Sequence, residues 1–197
     1  MEEHSESTPA QEERSRDRWQ PVEDLIERLP LVHGMIFADI GTGSGHFAVP
    51  VGQLLRGTGT VFSVDCDGDG VEGLKNRLET EDLTGWVIPM RVESNTFPLP
   101  DNSVDLASLG DEVHAGADAA AVMAEVRRVL RPNGRLVVIG WKQDESQDPI
   151  AVAPPVDARL SAEQTREVVT AAGFAYQESW DIYPSHNVLV FGESTAE

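Results

Sequence analysis

The sequence predicts an α/β fold: a doubly wound sheet of seven strands, mostly parallel with an antiparallel C-terminal strand, and helices on both faces. Three observations carry this. Short apolar runs alternate with amphipathic stretches from Gln20 onward, the pattern of a parallel sheet whose crossovers are helices. A glycine-rich turn joins the first apolar run to the amphipathic stretch after it, where a backbone free to take positive φ meets a helix N-terminus. The last two apolar runs follow one another without a helical stretch between them, which makes them an antiparallel pair.

The elements follow in order. PVEDLIERLP spaces Val22, Leu25, Ile26 and Leu29 for a short helix, with Pro21 near its start and Pro30 ending it. MIFADI (35–40) reads as a buried strand. SGHFAVPVGQLLR (44–56) reads as a helix with Phe47, Val51, Leu54 and Leu55 inward and Pro50 in its early turns. TVFSVD (60–65) is the second strand, and residues 70–80 form a helix that turns Val71, Leu74 and Leu78 inward. WVIPMRV (86–92) is a third strand, which Pro89 sends to an edge. SVDLASL (103–109) is a fourth, ADAAAVMAEVRRVL (117–130) a long helix, RPNG a turn and RLVVIGWK (135–142) a fifth strand. LSAEQTREVVTAAG (160–173) is a helix with Ser161 as N-cap and Gly173 at its end. FAYQESWDIYP and HNVLVFGE close the sheet. The Pro-rich DPIAVAPPVDA (148–158) is a surface loop. Residues 1–18 are expected as a disordered polar tail, 19–193 as a single domain and 194–197 as a C-terminal tail.

Composition narrows the partners. The chain has 197 residues and a formal charge of -19, from 34 acidic and 15 basic side chains. Only Lys75 and Lys142 are lysines; the other basic residues are arginines. So acidic a surface disfavours nucleic acid and anionic membranes, both of which reward positive potential. It suits a very soluble cytosolic protein, or one adapted to high salt, where repulsion among carboxylates is screened. Cys66 is the single cysteine, so neither an intrachain disulfide nor a cysteine-based zinc site is available. The N-terminal residues hold no apolar signal core, and no run approaches the roughly 20 apolar residues of a membrane span. The expected location is the cytoplasm.

The strongest local signal is Ala38-Asp39-Ile40-Gly41-Thr42-Gly43-Ser44-Gly45. Alternate glycines let a ligand touch the backbone, and the following helix offers free N–H groups to an anion. A dinucleotide fingerprint, GxGxxG from Gly41 and Gly43, would place its third glycine where His46 stands, and the helix start is filled differently here. Asp65 ends the second strand, where a carboxylate accepts hydrogen bonds from ribose hydroxyls. The two together point to a nucleoside.

ADIGTGSGHFA, VFSVDCD, RVESNTFPLPDNSVDLASL and EVRRVLRPNGRLVVIGWK, in this order, resemble the class I S-adenosylmethionine-dependent methyltransferase family, from about Val22 to Phe191. The resemblance implies a Rossmann-like fold and S-adenosyl-L-methionine as cofactor. It also implies roles. Asp39 would orient the methionine amino group, directly or through water. Gly41, Thr42, Gly43 and Gly45 would form the loop beneath methionine and ribose. Asp65 would hold the ribose hydroxyls, with Cys66 near the adenine. Glu93 would face the adenine amine, and Ser94 would offer its backbone N–H to the ring. Asp111 would stand at the mouth where the methyl group emerges.

A sulfonium methyl is already activated, so alignment and exclusion of water do most of the work. A base is needed only where the acceptor carries a proton. His114, in the loop after the fourth strand, is the first candidate base. His46 is the second, at a helix start that would hold it neutral. Trp19, Trp141 and Tyr183 are candidates to line a substrate or adenosine pocket. The expected partner is a small-molecule methyl acceptor, and the expected assembly a monomer or homodimer. A non-catalytic S-adenosylmethionine or S-adenosylhomocysteine binder is the alternative, and an NAD-dependent oxidoreductase a weaker one. Asp65 to Gly70 imitates the start of a calcium loop, but Asn76 stands where the bidentate Glu belongs, so no metal site is expected.

Overall fold

The computed structural model describes residues 16–110, 119–144, 146 and 153–193. Its first half holds α1 (Val22–Ile26), β1 (Ile36–Ile40), α2 (Ala48–Leu55), β2 (Thr60–Asp65), α3 (Gly68–Thr80) and β3 (Val87–Arg91). The second half holds β4 (Val104–Leu109), α4 (Ala119–Val129), β5 (Leu130–Trp141), α5 (Ala162–Ala171), β6 (Phe174–Trp180) and β7 (His186–Glu193). The strands form one seven-stranded sheet in the order β3-β2-β1-β4-β5-β7-β6. β7 runs antiparallel to both its neighbours, and every other pair is parallel. The sheet is the doubly wound one expected, with β7 as its antiparallel C-terminal strand.

The chain order creates the site. β1, β2 and β3 extend the sheet in one direction, and the chain then returns to lay β4 on the other side of β1. Loops after β1 and β4 therefore leave in opposite directions and open a crevice between them at the carboxyl edge.

Local sequence explains most boundaries. The Asp67 carboxylate accepts the amides of Asp69 and Gly70 and so starts α3, whose Val71, Leu74 and Leu78 are buried. Ser161 and Gln164 form a capping box at α5, which contributes about 1 kcal/mol. Gly173, at φ 90°, turns the chain into β6. Pro89 lies on β3, paired on one side with Ser63 of β2, at the sheet edge where its missing N–H leaves no ladder bond unmade. Pro50 is the third residue of α2, where no intrahelical partner for an N–H exists.

Apolar residues divide by face. Leu25, Val49, Val51, Leu74 and Leu78 pack on Phe37, Val61, Leu106 and Val137 on one side. Met123, Val126, Val129 and Val169 pack on Ala38, Val64, Leu109 and Phe191 on the other.

Three details differ from the sequence reading. Leu54 is 55% exposed, not inward; α2 is only eight residues long and presents Ala48, Val51, Gly52 and Leu55 to the core. RPNG is not a separate turn: β5 begins at Leu130, opposite Val104, and the register shifts before Leu106 meets Arg135. Asn133, at φ 66°, absorbs that bulge. Finally, the chain already packs on the domain at Arg16, ahead of the boundary expected at Trp19. The Arg16 guanidinium lies 5.4 Å from the Phe47 ring and 5.9 Å from the Trp19 ring, so a cation supplies the contact that apolar patterning did not show.

Candidate active site at the carboxyl edge of the sheet

Asp39 sits on β1 directly beside Ser108 of β4. It is 3% exposed. One carboxylate oxygen accepts the Ser108 hydroxyl at 2.6 Å and the other accepts the Thr42 hydroxyl at 2.8 Å. Burial pushes its carboxyl above the usual range, and the Ser108 and Thr42 bonds oppose that rise. Asp39 thus ties β1, β4 and the glycine turn into one unit.

The glycines of that turn do different work. Gly43, at φ +51°, has no atom within 4 Å of where a Cβ would stand. The protein leaves space above this residue. Gly45, at φ +85°, would bring a Cβ to 2.5 Å from Leu74 Cδ1, so its first requirement is the packing of the turn against α3.

Asp65 ends β2 and is 8% exposed. Its carboxylate accepts the Gly43 amide at 2.7 Å and the Asp67 amide at 2.9 Å. Beside it opens a cleft of about 210 Å³. Ile40, Val64, Phe97 and Val122 supply apolar walls, and Cys66, Glu93 and Ser94 stand at the polar rim with Asp65. The walls suit a flat heteroaromatic ring, and the acids suit hydroxyl and amino donors, so the donor set fits an adenosine group.

Arg128 of α4 frames this cleft from behind. It donates to the carbonyls of Phe97 and Leu99 at 3.0 and 2.8 Å, and to Asp101 at 2.7 Å. Glu125 accepts from Arg128 and also from the Phe97 amide at 2.8 Å. The arginine beside Glu125 holds that carboxyl below its ordinary value. The segment after β3, which has no regular structure, is pinned by these bonds.

On the opposite flank, the chain before α1 lies over the turn. His46 is 2% exposed, and its Nε2 donates to the Gln20 carbonyl at 2.9 Å. Burial, and next the Arg16 charge, push His46 down to about 3. It is neutral as expected, and the cause is desolvation. Arg16 Nε donates to Gln20 Oε1 at 2.6 Å. The Tyr183 hydroxyl donates to the Pro21 carbonyl at 3.0 Å. Trp19 stacks on His186 at 5.3 Å, and Trp141 lies 4.1 Å from the same ring. Trp141 and Tyr183 are 4% and 1% exposed; they pack this segment and leave Trp19, only partly buried, as the aromatic surface among the three.

Of the residues singled out from sequence, Asp39, Gly41, Thr42, Gly43, Gly45, Asp65, Cys66, Glu93 and Ser94 gather along the glycine turn and the cleft. Asp111 and His114 lie outside the described residues. No cluster that would hold a metal ion occurs among the described residues, and Asp67 of the calcium-like stretch is a helix cap. No helix among the described residues is long and apolar enough to cross a membrane. Ser108, Arg128 and Gln20 escaped the sequence reading. Only the β1–β4 register reveals the first, and only tertiary contacts reveal the others. A larger hollow, about 310 Å³, lies between α5 and the β6–β7 pair. None of its lining residues belongs to the glycine turn, and its Lys142 and Arg166 already pair with Asp181 and Glu163, so the smaller cleft is the chemically relevant one.

Comparison with known proteins agrees with this geometry. A family model described as a methyltransferase domain matches residues 38–138. An uncharacterized transposon protein of Streptomyces fradiae is 31% identical over 144 residues, covering 73% of this chain and 39% of that protein. The ubiquinone/menaquinone biosynthesis C-methyltransferase of Marinomonas is 25% identical over 114 residues, 58% of this chain and 45% of the relative. The chain therefore spans less than half the length of these relatives. A SAM-dependent methyltransferase structure from Aquifex aeolicus superposes with a TM-score of 0.83 at 21% identity, covering 96% of this chain and 100% of that one.

Proposed function

Because the chain belongs to the methyltransferase domain family, with the fold of the class I S-adenosylmethionine-dependent enzymes, we propose that it transfers a methyl group from S-adenosylmethionine to a small-molecule acceptor. The observation that carries this reading is the Asp65 carboxylate bridging to Gly43 beside an apolar cleft of about 210 Å³. The cofactor supplies a methyl group on a sulfonium, with a neutral thioether as leaving group. The protein's part is to bind and align. Ile40, Val64, Phe97 and Val122 exclude water from the ring. Asp65 accepts the ribose hydroxyls through the lone pairs its two amide donors leave free. Glu93 and Ser94 take the polar edge of the adenine. Asp39, held by Ser108 and Thr42, fixes the turn and places negative charge beneath the methionine amino group.

Asp111 and His114 come after β4 in the sequence. In this reading Asp111 flanks the mouth and His114 takes a proton from acceptors that carry one. Acceptors with an electron-rich ring of the quinol type are the first class to try, since the Marinomonas relative is a C-methyltransferase of quinone biosynthesis. Trp19 offers such a ring an aromatic face.

Calorimetry with S-adenosylmethionine, S-adenosylhomocysteine and NAD tests the cofactor. The first two are expected to bind and the third is not. A labelled-methyl screen that begins with quinols and small phenols tests the transfer. Binding without transfer across a broad screen would replace this reading with a non-catalytic binder of the same cofactor.

A further inference from the structure

The cleft beside Asp65 is lined by two acids, Asp65 and Glu93, and by no basic side chain. The start of α3 adds to that charge. A Cβ on Gly70 would stand 3.6 Å from the Gly43 carbonyl carbon, so the first turn of α3 lies against the glycine turn. That end of the helix carries Asp67 as its cap and Asp69 in its first turn. Among the described residues, none of these four carboxylates takes part in an ion pair.

The arginines nearby do not cancel them. Arg77 pairs with Glu81, and Arg128 with both Glu125 and Asp101. Arg16 acts on Asp39, one positive charge against one negative. Arg91 lays its guanidinium against Gly68, outside the lining of the cleft. The chain as a whole carries a charge of -19, so no distant surplus of cations offsets the local excess of carboxylates.

The cofactor before and after transfer differs by one charge. S-adenosylmethionine carries a sulfonium in addition to its zwitterionic amino-acid end. In transfer the methyl–sulfur bond breaks, its electron pair stays on sulfur, and the methyl carbon bonds to the acceptor. The positive charge goes to the methylated acceptor or leaves as the proton it displaces. S-adenosylhomocysteine is left with a neutral thioether. A negative field attracts the first form and is indifferent to the second. We infer that the carboxylates around this cleft act as a charge discriminator, holding S-adenosylmethionine more tightly than S-adenosylhomocysteine and so favouring exchange of product for fresh cofactor. This rests on the cofactor reading above and adds regulation to it. The field of exposed carboxylates weakens in salt, so ionic strength sets how strongly the product competes.

Calorimetry with S-adenosylmethionine, S-adenosylhomocysteine and sinefungin tests this. Sinefungin has an ammonium-bearing carbon in place of the sulfonium, so it keeps the charge without the sulfur. At about 0.1 M salt, both cations are expected to bind roughly 10-fold more tightly than S-adenosylhomocysteine. At about 1 M, where the Debye length is about 3 Å, the difference should shrink to about threefold or less. Any loss of folded chain in dilute salt lowers all three apparent affinities by one factor and cancels in their ratio. Asp67→Asn combined with Asp69→Asn removes two charges and keeps a helix cap, since Asn caps as well as Asp. In dilute salt that variant should lose about threefold of the preference, with S-adenosylhomocysteine within about twofold of its native affinity. S-adenosylhomocysteine binding as tightly as either cation in dilute salt would overturn the discriminator. So would a preference that molar salt or the double variant leaves unchanged, which would put its origin in a contact at the sulfur. If the chain binds none of the three at any salt, the cofactor reading itself fails, a result distinct from failure of the discriminator alone.

Discussion

The Asp65 carboxylate accepts the Gly43 amide at 2.7 Å and thereby joins the end of β2 to the glycine turn after β1. The same carboxylate accepts the Asp67 amide at 2.9 Å. Two backbone bonds orient it, and the remaining lone pairs stay available to a ligand. Structural and binding roles therefore meet in one side chain. Asp65→Ala is expected to weaken S-adenosylhomocysteine roughly 100-fold or more, since hydrogen bonds to a charged group are worth about 1.5–3 kcal/mol each. Asp65→Asn keeps one acceptor oxygen and should lose about tenfold by the same reckoning. Calorimetry on the two variants reads the difference, and unchanged binding in Asp65→Ala would remove the ribose assignment.

Gly43 and Gly45 separate binding from stability. Alanine at either position pays for a left-handed backbone, about 1–2 kcal/mol. At Gly43 nothing else intervenes, because no protein atom lies within 4 Å of the new methyl. At Gly45 the methyl runs into Leu74, which adds about 1–3 kcal/mol of overpacking. Gly43→Ala should therefore remain folded, with a small drop in Tm, and lose most cofactor binding. Gly45→Ala should show the larger drop in Tm. Urea denaturation beside a binding titration checks both; equal stability losses would show that the packing contact with Leu74 is not what requires Gly45.

Much of this was legible in the chain because the signals are local. The strand TVFSVD was readable to the residue, since its apolar run is bounded by Gly59 and by the Asp67 cap. Pro89 named an edge strand because proline lacks a donor anywhere. The spacing of Asp39, the glycines and Asp65 disclosed the turn and the acid after it. What escaped depends on register or on distant contacts. Ser108 matters only because β4 pairs with β1 at Asp39, and no local pattern encodes that pairing. Gln20 reads as a polar residue before a proline, yet it is fully buried, with its side-chain oxygen bonded to Arg16 and its backbone carbonyl to His46. Leu54 lies about 100° around the helix from Leu55, off the face that Ala48, Val51, Gly52 and Leu55 bury.

Arg128 is the residue through which α4 shapes the cleft. Its bonds to Phe97, Leu99, Asp101 and Glu125 need the fixed fork of a guanidinium. Arg128→Lys should therefore fail to rescue Arg128→Ala. Both variants are expected to lose about 2 kcal/mol of stability, the scale of a charged hydrogen bond. They should also bind adenosine ligands more weakly, because Phe97 is a wall of the cleft. Chemical denaturation and titration with 5′-methylthioadenosine provide the readouts. Full rescue by lysine would mean that charge alone, and not the carbonyl pinning, does the work.

His46 and Asp39 make the acid response of the fold a contest of opposite signs. His46 titrates near its ordinary 6.5 when unfolded, but in the folded chain it is pushed down to about 3. Between those values the unfolded state binds the proton and the folded state does not. Stability therefore falls as pH drops through 6.5 and continues to fall toward 3, by an amount on the order of a few kcal/mol. Asp39 works the other way: burial raises its folded carboxyl above its ordinary value, so its contribution grows as pH falls through the folded value. The histidine acts first on acidification, because its unfolded pKa is the higher. His46→Gln should therefore flatten the loss of stability between about pH 6.5 and pH 4, the window in which only the unfolded histidine is charged. Urea denaturation at a series of pH values measures the slope. A variant with the same slope as the native chain would show that His46 is not the group whose protonation unfolds it.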